Sequence, residues 1–130
     1  MKAIRIQSHG GWEVLRVTTL AEQQLVADEV LVRIKASAIN PLDGIIRMGD
    51  FPIAKKPPLI LGEEAAGIVE QEGAGFKAGE PVIVYGGGLG VFRDGTWAEM
   101  VAVPAPSLRR LPDDISFAEG AAPTNVGVTA

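Results

Sequence analysis

Glu29-Val30-Leu31-Val32-Arg33-Ile34-Lys35-Ala36-Ser37-Ala38 decides the fold class. Val30, Val32, Ile34 and Ala36 fall on one side of an extended chain, and Leu31, Arg33, Lys35 and Ser37 on the other. Period two with charge concentrated on one side marks a half-buried antiparallel strand. Asn40-Pro41 ends it. Pro41 suits the first turn of a short helix and Asn40 its cap, with Leu42 to Met48 as a body weakened by Gly44.

Working outward, Ala3 to Gln7 and Glu13 to Thr18 read as two strands of a hairpin joined through Ser8-His9-Gly10-Gly11. Phe51 to Pro58 carries three prolines and reads as an extended loop. Leu59 to Leu61 is a short apolar segment. Glu64 to Glu72 is a strand in which Gly67 marks a close backbone approach. The Gly73–Gly79 run is a turn, and Pro81 to Tyr85 is a buried strand. Gly86 to Gly95 reads as a mobile Gly-rich loop near a cleft. Thr96 to Val103 alternates again, and Leu108 to Leu111 is a last short strand. Ser116 and Glu119 form a capping box that starts a helix, which Pro123 interrupts and Thr124 to Ala130 restarts. Six or more short strands with regular turns predict a barrel or a sandwich. No strand–helix alternation appears, which excludes a Rossmann domain here.

A chain of 130 residues makes one ordinary domain. Its 47% hydrophobic and 22% charged content excludes disorder. The net charge is −4 and no Lys/Arg run exceeds two residues, which argues against nucleic acid as a partner. Without cysteine there are no disulfides and no thiolate metal ligands. Met1 to Ile6 alternates and lacks the apolar core of a signal peptide, and no stretch approaches a membrane span. The expectation is a soluble cytoplasmic protein without a membrane partner.

Several segments together carry a resemblance. They are Met1-Lys2-Ala3-Ile4 with His9-Gly10-Gly11 and Glu13-Val14-Leu15; the Glu29 strand running into Asn40-Pro41-Leu42-Asp43; and Leu61-Gly62-Glu63-Glu64-Ala65-Ala66-Gly67-Ile68-Val69. Gly79-Glu80-Pro81-Val82, Gly95-Thr96-Trp97-Ala98-Glu99, and Ala121-Ala122 with Gly127-Val128-Thr129-Ala130 complete the set. In this order and spacing they resemble zinc-independent medium-chain dehydrogenase/reductases of the quinone oxidoreductase type. The resemblance implies a mainly β, GroES-like, partly open β-barrel with short helices. It places a GroES-like substrate domain over residues 1–122. Residues 123–130 would begin the helix that leads into a Rossmann cofactor domain beyond this chain.

The same resemblance implies hydride transfer from NADPH to a quinone or an activated C=C bond. The partner would be a small hydrophobic electrophile, with room for a homodimer of the full-length protein. The zinc-dependent members bind their metal through Cys, His and Cys or Glu; here Asn40 stands at the first position and Glu63 at the second. A neutral amide is a poor zinc ligand, and the single histidine, His9, sits in a turn, so no zinc is expected. Asp43 and Glu64 are expected to hold local backbone or an arginine, such as Arg47. Glu63 and Glu64 are adjacent and point to opposite faces of a strand, so they cannot share one substrate bond.

Asn40 is the candidate for both catalysis and contact with the nicotinamide end of the cofactor, and equally a helix cap. An amide suits either task because it both donates and accepts. Thr129 is the second cofactor-binding candidate, or else a helix residue bonded to its own backbone. Many quinone reductases carry a tyrosine five residues after this Asn. Here that position is Ile45, which removes any acid role for it. Tyr85, the sole tyrosine, is the other catalytic candidate if it lines the cleft, and otherwise a core or rim aromatic. Neither Gly-rich run is followed by the helix that a dinucleotide fingerprint needs. A non-catalytic GroES-like binding module or assembly component remains the alternative reading, with a co-chaperonin as the third. The 130 residues alone are expected to be inactive and to bind NADPH weakly.

Overall fold

The computed structural model describes residues 1–122. The expected helix over Thr124 to Ala130, the 123–130 lead into a second domain, and Thr129 lie outside the described residues. In chain order come β1 (Lys2–Ile6), β2 (Leu15–Thr19), β3 (Glu29–Ser37) and α1 (Pro41–Met48). These are followed by β4 (Leu59–Ile60), β5 (Glu64–Gln71), β6 (Pro81–Tyr85), β7 (Met100–Pro104), β8 (Leu108–Arg110) and α2 (Phe117–Ala121). The strands form two antiparallel sheets, in the orders β2-β1-β4 and β7-β3-β5-β6-β8. The mainly β expectation holds. The sheets do not close into a barrel. They are stitched together by the segment before β7, where Ile4 N–H donates to the Trp97 carbonyl at 2.8 Å and Trp97 N–H to the Leu61 carbonyl at 3.0 Å.

That stitching corrects the expected strand over Thr96 to Val103, which begins only at Met100. Residues 95–98 spend their backbone groups on β1 and on the chain around Leu61, and only at Glu99, whose carbonyl accepts from Ile34 N–H at 2.9 Å, does bonding to β3 begin. The hairpin's second strand likewise starts at Leu15, because Trp12–Val14 turn as a 3-10 helix closed on Gly11. Alternation along β3 also fails at its first half. Val30, Leu31 and Val32 are all buried, because β3 lies between β5 and β7 and α2 packs on the same sheet.

Gly67 meets its expectation. A side chain there would collide with the Arg33 carbonyl across the β3–β5 pair. The Gly86–Gly95 loop does not have the expected character of a mobile segment. Leu89 is buried within the core of the five-stranded sheet, and the Gly95 backbone lies against the Gly62 carbonyl so closely that no Cβ would fit. Arg93 ties the loop to Glu29 at 2.5 Å and to the Ala102 carbonyl at 3.1 Å.

Two apolar clusters result. Val30, Val32, Val69, Val82, Val84 and Val101 centre the larger one. Ile6, Ile46, Leu59, Leu61 and Val91 form the smaller, which seats α1 on the three-stranded sheet. Fully burying a side chain such as Ile46 stabilises by roughly 1.5–3 kcal/mol, enough to hold an eight-residue helix that would not persist alone. No helix among the described residues is long and apolar enough to cross a membrane.

Candidate active site

The site is built where β3 ends and α1 begins. Asn40 is extended at φ −118° and caps α1, with Pro41 at the first helical position. Its backbone N–H donates to Asp43 Oδ2 at 2.7 Å, and Asp43 N–H donates to its carbonyl at 3.0 Å. Capping is therefore real, but it is not the whole task of this residue. Asn40 Nδ2 also donates to Glu64 Oε1 at 2.6 Å.

Glu64 opens β5 and is fully buried. Its carbonyl accepts from Ser37 Oγ at 3.1 Å and from Thr96 Oγ1 at 3.3 Å, and these two hydroxyls lie 2.7 Å apart. In the antiparallel register Glu64 faces Tyr85 of β6. Directly opposed residues share a face of the sheet. Tyr85 and Asn40 are thus both neighbours of Glu64. Tyr85 itself does not line the cavity that Asn40 lines.

Arg47 does not hold Asp43 or Glu64 as expected. Its guanidinium lies over the Trp12 ring, 4.2 Å from the centroid, and its Nη1 donates to the Gly10 carbonyl at 3.3 Å. Glu64 is engaged by Asn40, and Asp43 holds local backbone, the other half of that expectation, by accepting from the Asn40 N–H at 2.7 Å. Burial pushes the Asp43 carboxyl above its ordinary value, against the pull of backbone N–H bonds from Asn40 and Gly62. Burial, then the charges of Asp43 and Glu64, push Glu63 up to about 7. The sequence signal was present in Asp43, Glu63 and Glu64, but adjacency and opposite strand faces argued against any joint role for the two glutamates.

Asn40, Asp43, Gly44 and Arg47 line a cavity of about 400 Å³, together with Trp12, Leu15, Ile39 and Trp97. The last four also wall an apolar groove of about 550 Å³ that continues past Ile4, Val17 and Ile34. Trp97 is fixed by its Nε1, which donates to the Ala38 carbonyl at 3.1 Å. A mainly apolar pocket that carries Asn40, Asp43 and Arg47 in its wall thus adjoins an apolar groove, an arrangement suited to an apolar molecule with one polar end. Ile45 is exposed on the outer side of α1. His9 is exposed and packs on Gly49 at the end of α1. Among the described residues no group of three or more His, Cys, Asp or Glu is arranged to hold a metal ion.

Residues 26–113 match the alcohol dehydrogenase GroES-like domain. The chain is 33% identical over 125 residues to the mouse synaptic vesicle membrane protein VAT-1 homolog-like, covering 94% of this chain and 28% of that protein. It is 33% identical over 130 residues to a putative quinone oxidoreductase of Bacillus subtilis, covering 99% of this chain and 39% of that one. Its fold superposes on the Escherichia coli quinone oxidoreductase crystallised with NADPH, with a TM-score of 0.88 at 32% identity, covering 99% of this chain and 39% of that chain. The chain thus spans between about a quarter and two fifths of these relatives. It belongs to the alcohol dehydrogenase GroES-like domain family, within the medium-chain dehydrogenase/reductases of quinone oxidoreductase type.

Proposed function

We propose that this chain is the substrate-side domain of an NADPH-dependent oxidoreductase that reduces quinones or activated C=C bonds without zinc. The observation that carries this reading is the Asn40 amide. It lines a cavity that shares Trp12, Leu15, Ile39 and Trp97 with a longer apolar groove, and Glu64 orients it through a 2.6 Å hydrogen bond. Residues 1–122 are the substrate domain, and 123–130 lead toward a nucleotide-binding domain. A small hydrophobic electrophile is the partner, a homodimer the assembly, and the cytoplasm the location.

The residues fit the nicotinamide end of the cofactor. Asn40 is an amide held by Glu64 in the wall of a cavity that Arg47 also lines. Asn40, with Thr129, would hold that end. When bound, the cofactor supplies a hydride to the substrate carbon. Trp12, Ile39 and Trp97 offer the apolar surface for the body of the substrate. Zinc does not fit the donor set. The chain has no cysteine, its one histidine is exposed, and Asn40 offers only a neutral amide.

The test is NADPH oxidation by the full-length protein with menadione and with cyclohexenone, before and after EDTA. Turnover that EDTA leaves unchanged and that Asn40→Ala lowers at least tenfold is the expected result. Loss with EDTA and recovery with zinc would overturn the metal-free part. No turnover of either probe would overturn the reductase reading.

A further inference from the structure

The two sheets do not close, and an apolar groove of about 550 Å³ takes its walls from both. Ile4 and Val17, directly opposed in the β1–β2 register, come from the three-stranded sheet, and Ile34 and Ala36 from one face of β3. Sheets that pack face to face ordinarily fill the space between them with interdigitated side chains. Here the space stays open, and large apolar side chains are left at its surface: Trp12 is 75% exposed, Val17 73% and Ile39 80%. A contiguous exposed apolar surface marks a binding site, because it costs free energy until something covers it. Among the described lining residues only Lys35 is charged, so the occupant is apolar and uncharged over this stretch.

Continuity says which occupant. The groove shares Trp12, Leu15, Ile39 and Trp97 with the cavity of about 400 Å³ that Asn40 lines. A dry apolar cavity of about 150 Å³ already holds a benzene ring. The Asn40 cavity by itself therefore accommodates a one-ring head such as cyclohexenone, and such a substrate leaves the groove empty. The shared walls are held in place. Trp97 Nε1 donates to the Ala38 carbonyl at 3.1 Å, and the Arg47 guanidinium lies 4.2 Å from the Trp12 ring centroid. Walls fixed before binding lose little entropy when a ligand arrives.

We propose that the groove holds an alkyl tail, and that the substrate is a conjugated carbonyl compound whose reactive head lies in the Asn40 cavity and whose uncharged tail runs past Ile34 toward Ile4 and Val17. This rests on the reductase reading above and narrows its small hydrophobic electrophile to an amphipathic one. Trp12 and Trp97, common to both spaces, flank the junction of head and tail, and Val17 sets how much of the tail is covered. The tail touches the protein alike before and during hydride transfer, so it acts on KM and leaves kcat unchanged.

The experiment compares methyl, propyl, pentyl and heptyl vinyl ketone as substrates of the full-length protein with NADPH. Full burial of a methylene is worth about fourfold in affinity, and half of that free energy, for a groove open to water, gives about twofold. The kcat/KM should therefore rise about 60-fold from methyl to heptyl, through KM. Val17→Lys sets a charge on the path of the tail and should flatten the series to within about threefold. Val17 is exposed on an edge strand, where the fold tolerates the change. Val26→Lys makes the same change at a valine that is 67% exposed and outside the groove, and should keep the rise. A flat wild-type series, or equal flattening by Val26→Lys, would overturn the proposal, while turnover of the ketones upholds the reductase reading. Binding is read separately, without NADPH, from the shift in tryptophan emission caused by ethyl heptyl ketone, and Val17→Lys should weaken it at least about tenfold. If no vinyl ketone is turned over, the reductase reading falls and this binding decides the groove: no shift, or wild-type affinity in Val17→Lys, would overturn it as well.

Discussion

Asn40 Nδ2 and Glu64 Oε1 meet at 2.6 Å, and the acceptor is a fully buried glutamate at the start of a central strand. One residue thereby caps α1 through its backbone and ties the helix to β5 through its side chain. Asn40→Ala should cost about 1–2 kcal/mol in urea unfolding, the sum expected for a weakened cap and a lost charged hydrogen bond. Asn40→Asp should cost more and grow worse with rising pH, because it sets a second carboxylate against Glu64. A neutral outcome for Asn40→Asp at pH 8 would contradict the contact.

Gly67 and Gly44 should respond in opposite directions to alanine. At Gly67 a methyl group would collide with the Arg33 carbonyl and force β3 and β5 apart, so Gly67→Ala should destabilise by about 3 kcal/mol. At Gly44, inside α1, the nearest atom to a new Cβ is Arg47 Nη2 at 4.0 Å, so Gly44→Ala should stabilise by up to about 1 kcal/mol. Thermal melts of both variants check the pair.

Glu63 predicts a pH dependence of stability. Its folded value, about 7, lies above its ordinary value of 4.5, so between these the folded state binds more protons than the unfolded chain. Stability from this group is complete below pH 4.5 and is lost as pH rises to about 7. The group is part-exposed, and solvent screening limits the effect to on the order of 1 kcal/mol. Denaturant midpoints at several pH values should show that loss in the wild type relative to Glu63→Gln, and parallel curves would refute it.

Arg93 should be the pin of the Gly-rich loop. It bonds Glu29, whose side chain is only 8% accessible, and the Ala102 carbonyl. Arg93→Ala should destabilise by about 1–3 kcal/mol and open residues 86–94 to limited proteolysis. Resistance equal to the wild type would show that Leu89 and the Gly62–Gly95 packing hold the loop unaided.

The isolated 130 residues should bind NADPH weakly or not at all by calorimetry. The candidate cofactor contacts here are only the Asn40 amide in an open cavity and the Thr129 hydroxyl. Submicromolar affinity would refute this.

Strand-forming segments, the Asn40-Pro41 helix start, the Ser116–Glu119 capping box and the tight spot at Gly67 were all legible in the sequence, because side-chain period, capping chemistry and the absence of a Cβ are local properties. The family was legible for the same reason, as short blocks in a set order. Tertiary structure alone decided where the long-range groups meet. Thr96 and Trp97 read as the start of a strand, yet their backbone was claimed by Gly62, Leu61 and β1. Arg47 read as a partner for carboxylates, yet packing laid it over Trp12. Asp43 lies twenty positions before Glu63, and no periodicity relates them. α1 seats Asp43 inward while the turn after β4 carries Glu63 into the same part of the fold, where burial, then the neighbouring negative charges, raise the Glu63 carboxyl to about 7.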